Sequence, residues 1–395
     1  MRFTRIAACL AALVLGTAAP AEDGPQPPAR PERVDALLAP LVERHGVPAL
    51  GGAIVALDGL AAVGVAGHRA AGHDAEVAVD DLWHLGSCTK AMTATLLARY
   101  AEREVLSLDT RLPAALPQLA ETFDAGWKDV TLRELLQHRG GAPTAVEPRL
   151  WGRLFAFEGT PAAARALLVS ETLRGAPAGP HGEHFEYSNT GYAIAAHALE
   201  TRTERPWESL VQSDLFEPLD MHPGFGAPGT AGTEPDQPWG HREVGGALAA
   251  VPPGPGADNP PAIGPAGTVH ASLADWAKFV GLHLRGARPD AAGLLLPRAA
   301  FEALHTPPAG ADYALGWRVT TREWARGEGG TGRVLMHAGS NTMWYCVAWI
   351  APERGIAVLA TCNAGGRRGE QACDAVCGAL LRHAHADTAE PQRPR

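Results

Sequence analysis

The sequence predicts an α+β protein: an antiparallel sheet made from both ends of the chain and flanked by terminal helices, with a mostly helical second lobe between. Two observations predict this layout. Apolar runs of strand length cluster near residue 50 and again beyond residue 313, whereas the stretch from about 86 to 221 carries helical patterning. Helical periodicity also opens and closes the folded part. A third observation concerns folding itself: 45 Gly and 33 Pro stand against 46% hydrophobic content, the balance of a loop-rich globule rather than a disordered chain.

Taken in order, the chain opens with Arg2 and Arg5, an apolar run from Ile6 to Leu15, and Ala19-Pro20-Ala21. This is the layout of a secretory signal peptide ending in an A-x-A cleavage site, so residues 1–21 are expected to be removed and the protein to be periplasmic or secreted. The run is too short to span a bilayer, and no membrane insertion is expected once it is gone. A Pro-rich leader (22–32) precedes one domain over 33–383, with a sheet lobe at about 33–85 and 268–383 and a helical lobe at about 86–267. Residues 384–395 form a tail.

Within the domain, Val34–Val42 has helical periodicity. Ala49–Leu57 and Leu60–Ala66 read as strands joined at Asp58-Gly59, a hairpin signal. A helix is expected from Ser87 to about Glu104, and Thr131-Leu132-Arg133-Glu134 reads as a capping box opening another. Residues 222–267, crowded with Gly and Pro, read as a long ordered wrap or lid. A helix over Leu273–Leu284 then precedes strands at Tyr313–Val319, Val334–His337, Met343–Ile350 and Ile356–Cys362, and a helix over about Glu370–His383 closes the domain.

The formal net charge is −9, and removing Arg2 and Arg5 makes it more negative, which argues against nucleic-acid or anionic-lipid partners. A small-molecule or peptide substrate is the expected partner; oligomeric state is not legible. Five cysteines follow the signal peptide. Cys346 and Cys362 flank the Pro352–Gly355 turn, where either a disulfide or two buried thiols fit. Cys373 and Cys377 share a helix face, and Cys88 is expected to pack inward. His181-Gly182-Glu183-His184 has metal-capable side chains, but its Gly and the adjacent Pro180 suggest a loop, and no metal is expected there or at the Cys/His-bearing C-terminus.

The chemistry begins with scarcity. The chain has three lysines against 31 arginines, yet Lys90 stands three residues after Ser87 in Gly86-Ser87-Cys88-Thr89-Lys90. Chance expects about 0.06 Ser-x-x-Lys pairs at these counts. Lysine can give up its proton where arginine cannot, and residues three apart share a helix face. A neutral Lys90 can therefore activate Ser87 as a nucleophile. Tyr187-Ser188-Asn189 is about as rare, and offers a phenol to shuttle a proton and an amide to hold both a lysine and a substrate carbonyl.

These two motifs, followed by His337-Ala338-Gly339 at the end of a strand, resemble the ordered signature of the serine β-lactamase-like hydrolases: class C β-lactamases, D,D-peptidases, D-aminopeptidases and esterases. His-x-Gly also occurs at His84, His138 and His222, but only His337 ends a strand and precedes a hairpin. Leu135–His138, Gly264–Thr268 and Tyr313–Trp317 extend the resemblance over roughly residues 33–383. It implies a β-lactamase/transpeptidase-like fold and acyl transfer through Ser87. Lys90 and Tyr187 would move the proton, with either as base. Asn189 would orient Lys90 and the substrate, and His337, Gly339 and Ser340 would line the substrate strand, the backbone N–H groups of Ser87 and Ser340 forming the oxyanion hole. No cofactor is implied. Many relatives carry Lys where this chain has His337, and a mostly neutral imidazole shifts the expectation from carboxylate-bearing β-lactams and D,D-peptides, which stay as the alternative, toward esters and amides. A catalytically silent binder of peptide or cell-wall fragments is the alternative of another class.

Overall fold

Alternating apolar and small residues in the first and last thirds of the chain give strands that can be buried on both faces, and these strands meet in one sheet. The computed structural model describes residues 30–389; the expected signal peptide and most of the leader lie outside the described residues. The strands are β1 (Glu32–Arg33), β2 (Ala49–Ala56), β3 (Gly59–Gly67), β4 (Trp83–His84), β5 (Gly224–Phe225), β6 (Gly240–Val244), β7 (Ala247–Val251), β8 (Val269–Ala271), β9 (Arg318–Thr321), β10 (Arg333–Ser340), β11 (Tyr345–Ala351) and β12 (Ile356–Cys362). The main sheet has the order β1-β3-β2-β12-β11-β10-β9 and is antiparallel apart from the short β1–β3 pair. Its centre is the β2–β12 pair, where the two ends of the domain join.

The helices are α1 (Asp35–His45), α2 (Thr89–Glu102), α3 (Leu112–Ala115), α4 (Leu132–Leu136), α5 (Pro148–Phe155), α6 (Pro161–Arg174), α7 (Asn189–Thr203), α8 (Trp207–Val211), α9 (Gly264–Gly267), α10 (Leu273–Gly286), α11 (Arg298–His305) and α12 (Gly366–Ala389). Leu38 and Leu41 of α1 and Val376 and Leu380 of α12 cover one sheet face, packed on Leu50, Ile54 and Val358. The opposite face, carrying Ala53, Ala348 and Leu359, packs on α10 and through it on the buried helix α2. Each Leu or Val so buried contributes roughly 1.5–3 kcal/mol. None of the helices in the described residues is long and apolar enough to cross a membrane.

One expectation needs correction and one open alternative is decided. Tyr313–Val319 is not one strand: Gly316 has φ +80°, which turns the chain, and the ladder begins only at Arg318. Of the two readings open for Cys346 and Cys362, two buried thiols is the one found. Cys346 lies opposite Thr361 and Cys362 opposite Tyr345, so the two thiols sit on opposite sheet faces. The thiol beside Cys346 is Cys88, with the two sulfurs 3.6 Å apart.

Candidate active site

Ser87 lies in a single 3₁₀ turn, Gly86–Cys88, that runs into α2. Gly86 has φ +46°, and a Cβ there would fall 2.4 Å from the backbone nitrogen of Ser340. Gly339 is equally constrained, since a Cβ on it would fall 2.0 Å from the Leu85 carbonyl oxygen and 2.9 Å from the Ser87 nitrogen. Only glycine allows this approach of a turn to a strand. Because β9 pairs with β10 only through Arg333–Met336, residues 337–340 are free of that neighbour and receive the Ser87 turn instead. The backbone nitrogens of Ser87 and Ser340 are thereby brought to the same place.

Lys90 is in the first turn of α2 with no solvent exposure. Its Nζ donates to Ser87 Oγ (3.0 Å), Asn189 Oδ1 (2.7 Å) and the Ala266 carbonyl (2.9 Å), and sits 4.7 Å from the centre of the Tyr187 ring. Burial pulls its pKa down from the usual lysine value to about 7, and the positive end of the helix dipole acts in the same direction. Asn189 is held at the first position of α7, where Ser188 caps the helix by accepting from the Gly191 N–H and itself donates to the Pro143 carbonyl. Tyr187 lies just before the cap, and burial outweighs the opposing pull of the Ser87 hydroxyl and holds its phenol well above the ordinary tyrosine range. Four of the expected residues, Ser87, Lys90, Tyr187 and Asn189, thus converge on one point.

His337 behaves differently from expectation. It is 5% exposed; its Nδ1–H donates to the Ala338 carbonyl (2.7 Å) and its Nε2 accepts from the Tyr313 hydroxyl (2.9 Å). Burial lowers its pKa to about 3, so the expected neutrality is reinforced. Its direct reach to substrate is not found, because both ring nitrogens are engaged inside the protein. Gly339 serves as the close-packing residue described above. The Ser340 hydroxyl turns away to donate to the Trp344 carbonyl, leaving its backbone N–H as the available group.

Sequence reasoning passed over the groups around these. Ala266, within the singled-out Gly264–Thr268 stretch, acts through its carbonyl, which no side-chain motif reports. His138 takes φ +59°; its Nδ1 accepts from the Ser188 N–H (3.1 Å), and its ring lies 4.3 Å from that of Tyr187. Tyr192 donates to the Leu136 carbonyl at 2.7 Å. The signal for His138 was its place before a Gly pair, and for Tyr313 the Tyr313–Trp317 stretch. Chemically, the arrangement offers a hydroxyl beside an amine that can lose its proton near neutral pH, a protonated phenol, and two convergent backbone donors.

The chain is similar to known proteins over most of its length. The family model described as Beta-lactamase matches residues 34–376. Penicillin-binding protein 4 of Amycolatopsis lactamdurans is 28% identical over 243 residues, 58% of this chain and 57% of that protein. The D-alanyl-D-alanine-carboxypeptidase/endopeptidase AmpH of Escherichia coli K12 is 25% identical over 178 residues, 45% of each. The chain therefore spans about half the length of these relatives. The crystal structure of SurE superposes with a TM-score of 0.71 at 24% identity, covering 91% of this chain and 77% of that one.

Proposed function

The chain belongs to the β-lactamase family, whose members here are serine hydrolases of the β-lactamase and penicillin-binding-protein kind, and from that premise we propose that it is an exported hydrolase cleaving ester or amide bonds through an acyl-enzyme on Ser87. One observation carries the reading. Of the three acceptors around the Lys90 amine, Asn189 Oδ1 and the Ala266 carbonyl can only accept, so loss of one proton leaves the lone pair facing Ser87 Oγ. In this scheme Lys90 takes the Ser87 proton as the hydroxyl oxygen attacks the carbonyl carbon. The Ser87 and Ser340 N–H groups receive the developing oxyanion. Tyr187, kept protonated by burial, donates to the departing alcohol or amine and is reprotonated from Lys90. Water, deprotonated by the same groups, then releases the acyl group and restores Ser87. Asn189 fixes the amine and meets the substrate amide, while His337 shapes the strand without offering a cation. No metal or cofactor enters the scheme, and export rests on residues 1–21.

A second reading, β-lactam or D,D-peptide cleavage, is favoured by the names of the two relatives. Hydrolysis of p-nitrophenyl butyrate and of nitrocefin, with Ser87→Ala as blank, decides between them. Ester turnover without nitrocefin turnover supports the first reading, and fast nitrocefin turnover the second. Ser87→Ala should abolish turnover while changing stability by no more than about 1 kcal/mol. Activity that survives it removes Ser87 from the mechanism, and a wild-type protein that reacts with neither substrate, nor with a fluorophosphonate, is a binder.

A further inference from the structure

We infer that Asp258, in the Gly/Pro-rich wrap, is a positioning residue that clamps together the two backbone segments presenting the Ser87 and Ser340 N–H groups; this rests on the acyl-enzyme reading above. Asp258 Oδ2 accepts from His84 Nε2 (2.8 Å), and its Oδ1 accepts from Asn341 Nδ2 (2.9 Å). His84 has no solvent exposure and its ring stacks on Trp344. It ends β4, two residues before the nucleophile turn, and its Nδ1 accepts from the Gly86 N–H (3.1 Å). That bond holds the peptide whose φ of +46° aims the Ser87 N–H. Asn341 follows Ser340 directly, and its Oδ1 accepts from the Met343 and Trp344 N–H groups (3.1 and 3.3 Å), fixing the turn between β10 and β11. One carboxylate therefore joins the segment before one oxyanion donor to the segment after the other.

The donor–acceptor directions admit no slack. His84 must carry its proton on Nε2, because Nδ1 accepts from Gly86. Asn341 must present its NH₂ to residue 258, because its oxygen is taken by two backbone donors. Residue 258 thus faces three donors, the Asn259 N–H (2.8 Å) sharing Oδ1 with Asn341, and has to accept at both of its side-chain atoms, which a carboxylate does and a carboxamide cannot. In Asp258→Asn one contact becomes donor against donor. In Asp258→Asn/Asn341→Asp both contacts between the two segments close again: the new amide oxygen accepts from His84, its NH₂ donates to the new carboxylate, and that carboxylate still accepts the Met343 and Trp344 N–H groups; only the local Asn259 N–H, which bridges nothing, loses its acceptor. The exchange conserves charge and atom count.

The test is the rate at which a fluorophosphonate labels Ser87, followed by peptide mass spectrometry, together with kcat and KM for p-nitrophenyl butyrate and a thermal melt. Asp258→Asn should slow labelling and kcat by at least about tenfold with KM little changed, since a displaced donor costs less than the 10²–10³-fold of a deleted one. The exchanged double variant should return to within about threefold of wild type. A single variant within threefold of wild type, or a folded double variant as slow as the single, overturns the inference. If the single variant does not fold, the double variant decides: recovery of fold and rate supports the clamp, and failure of either overturns it. A wild-type protein that does not label at Ser87 instead removes the acyl-enzyme reading, and the clamp's role falls with it.

Discussion

Lys90 has three protons and three oxygen neighbours, so a guanidinium in its place keeps charge while losing the capacity to become a base. Lys90→Arg should therefore lower kcat by at least about 10³-fold, the upper part of what general base catalysis contributes. Near-wild-type turnover of that variant would make Lys90 a purely electrostatic residue. The depressed lysine pKa also fixes a pH dependence. Below about 7 the amine is protonated and cannot accept from Ser87; kcat/KM should be low there, rise with a midpoint near 7 and level off above it. An acid limb centred below pH 5 would assign the base to another group. The lysine's scarcity made this site visible before any fold was known, since a residue used three times in the chain is not used at Ser+3 for charge alone.

Between elements, the contact that matters is turn against strand. Gly339→Ala places a methyl group 2.0 Å from the Leu85 carbonyl oxygen, so β10 must withdraw from the Ser87 turn. We expect a stability loss of about 1–3 kcal/mol, and a kcat loss of at least about 100-fold as the two backbone donors separate, measured by urea titration and ester turnover. An unchanged kcat would mean that the Ser340 N–H is not used. At this scale the sequence was legible where periodicity and local chemistry agree. β12 falls where alternation ended it, at Ile356–Cys362, and the Thr131–Glu134 capping box forms with both of its hydrogen bonds. It misled where a single backbone angle decides, as at Gly316, and left open what register decides, as for Cys346 and Cys362. The β6–β7 hairpin inside the wrap escaped notice although Gly245 and Gly246, at φ +60° and +84°, form the two-residue turn that signals it. Carbonyl ligands such as Ala266, and bridges between segments far apart in the chain such as Asp258 to His84, have no local pattern to read.

For the whole molecule, buried imidazoles set the response to acid. His138, His283, His305 and His337 are buried, and desolvation holds each below the ordinary histidine value, His283 and His337 at about 3. Thr95 and His305 flank His283, at 3.0 Å and 2.8 Å from its two ring nitrogens. The sign follows from the order of protonation. Unfolded chains take up these protons near pH 6.5 while the folded protein does not, so stability is intact above that value and is lost as pH falls below it. Each such ring should cost about 1 kcal/mol between pH 6.5 and 5.5, a window in which ordinary carboxylates barely titrate. Lys90 adds to the same direction higher up, stability rising with pH from about 7 toward the unfolded lysine value. Urea titrations at pH 7.5, 6.5 and 5.5 check this, and a flat profile would contradict the burial of these rings.

The central β2–β12 pair joins residues 49–56 to residues 356–362. During synthesis at about 5–20 residues per second, β2 waits some 15–60 s for its neighbour. The strand that receives the nucleophile turn, β10, likewise emerges only near the end. Ser87 and Lys90 are translated early, yet no nascent chain short of β10 holds a formed oxyanion hole. The two backbone donors of the proposed mechanism can therefore meet only once the last strands of the domain are available to fold.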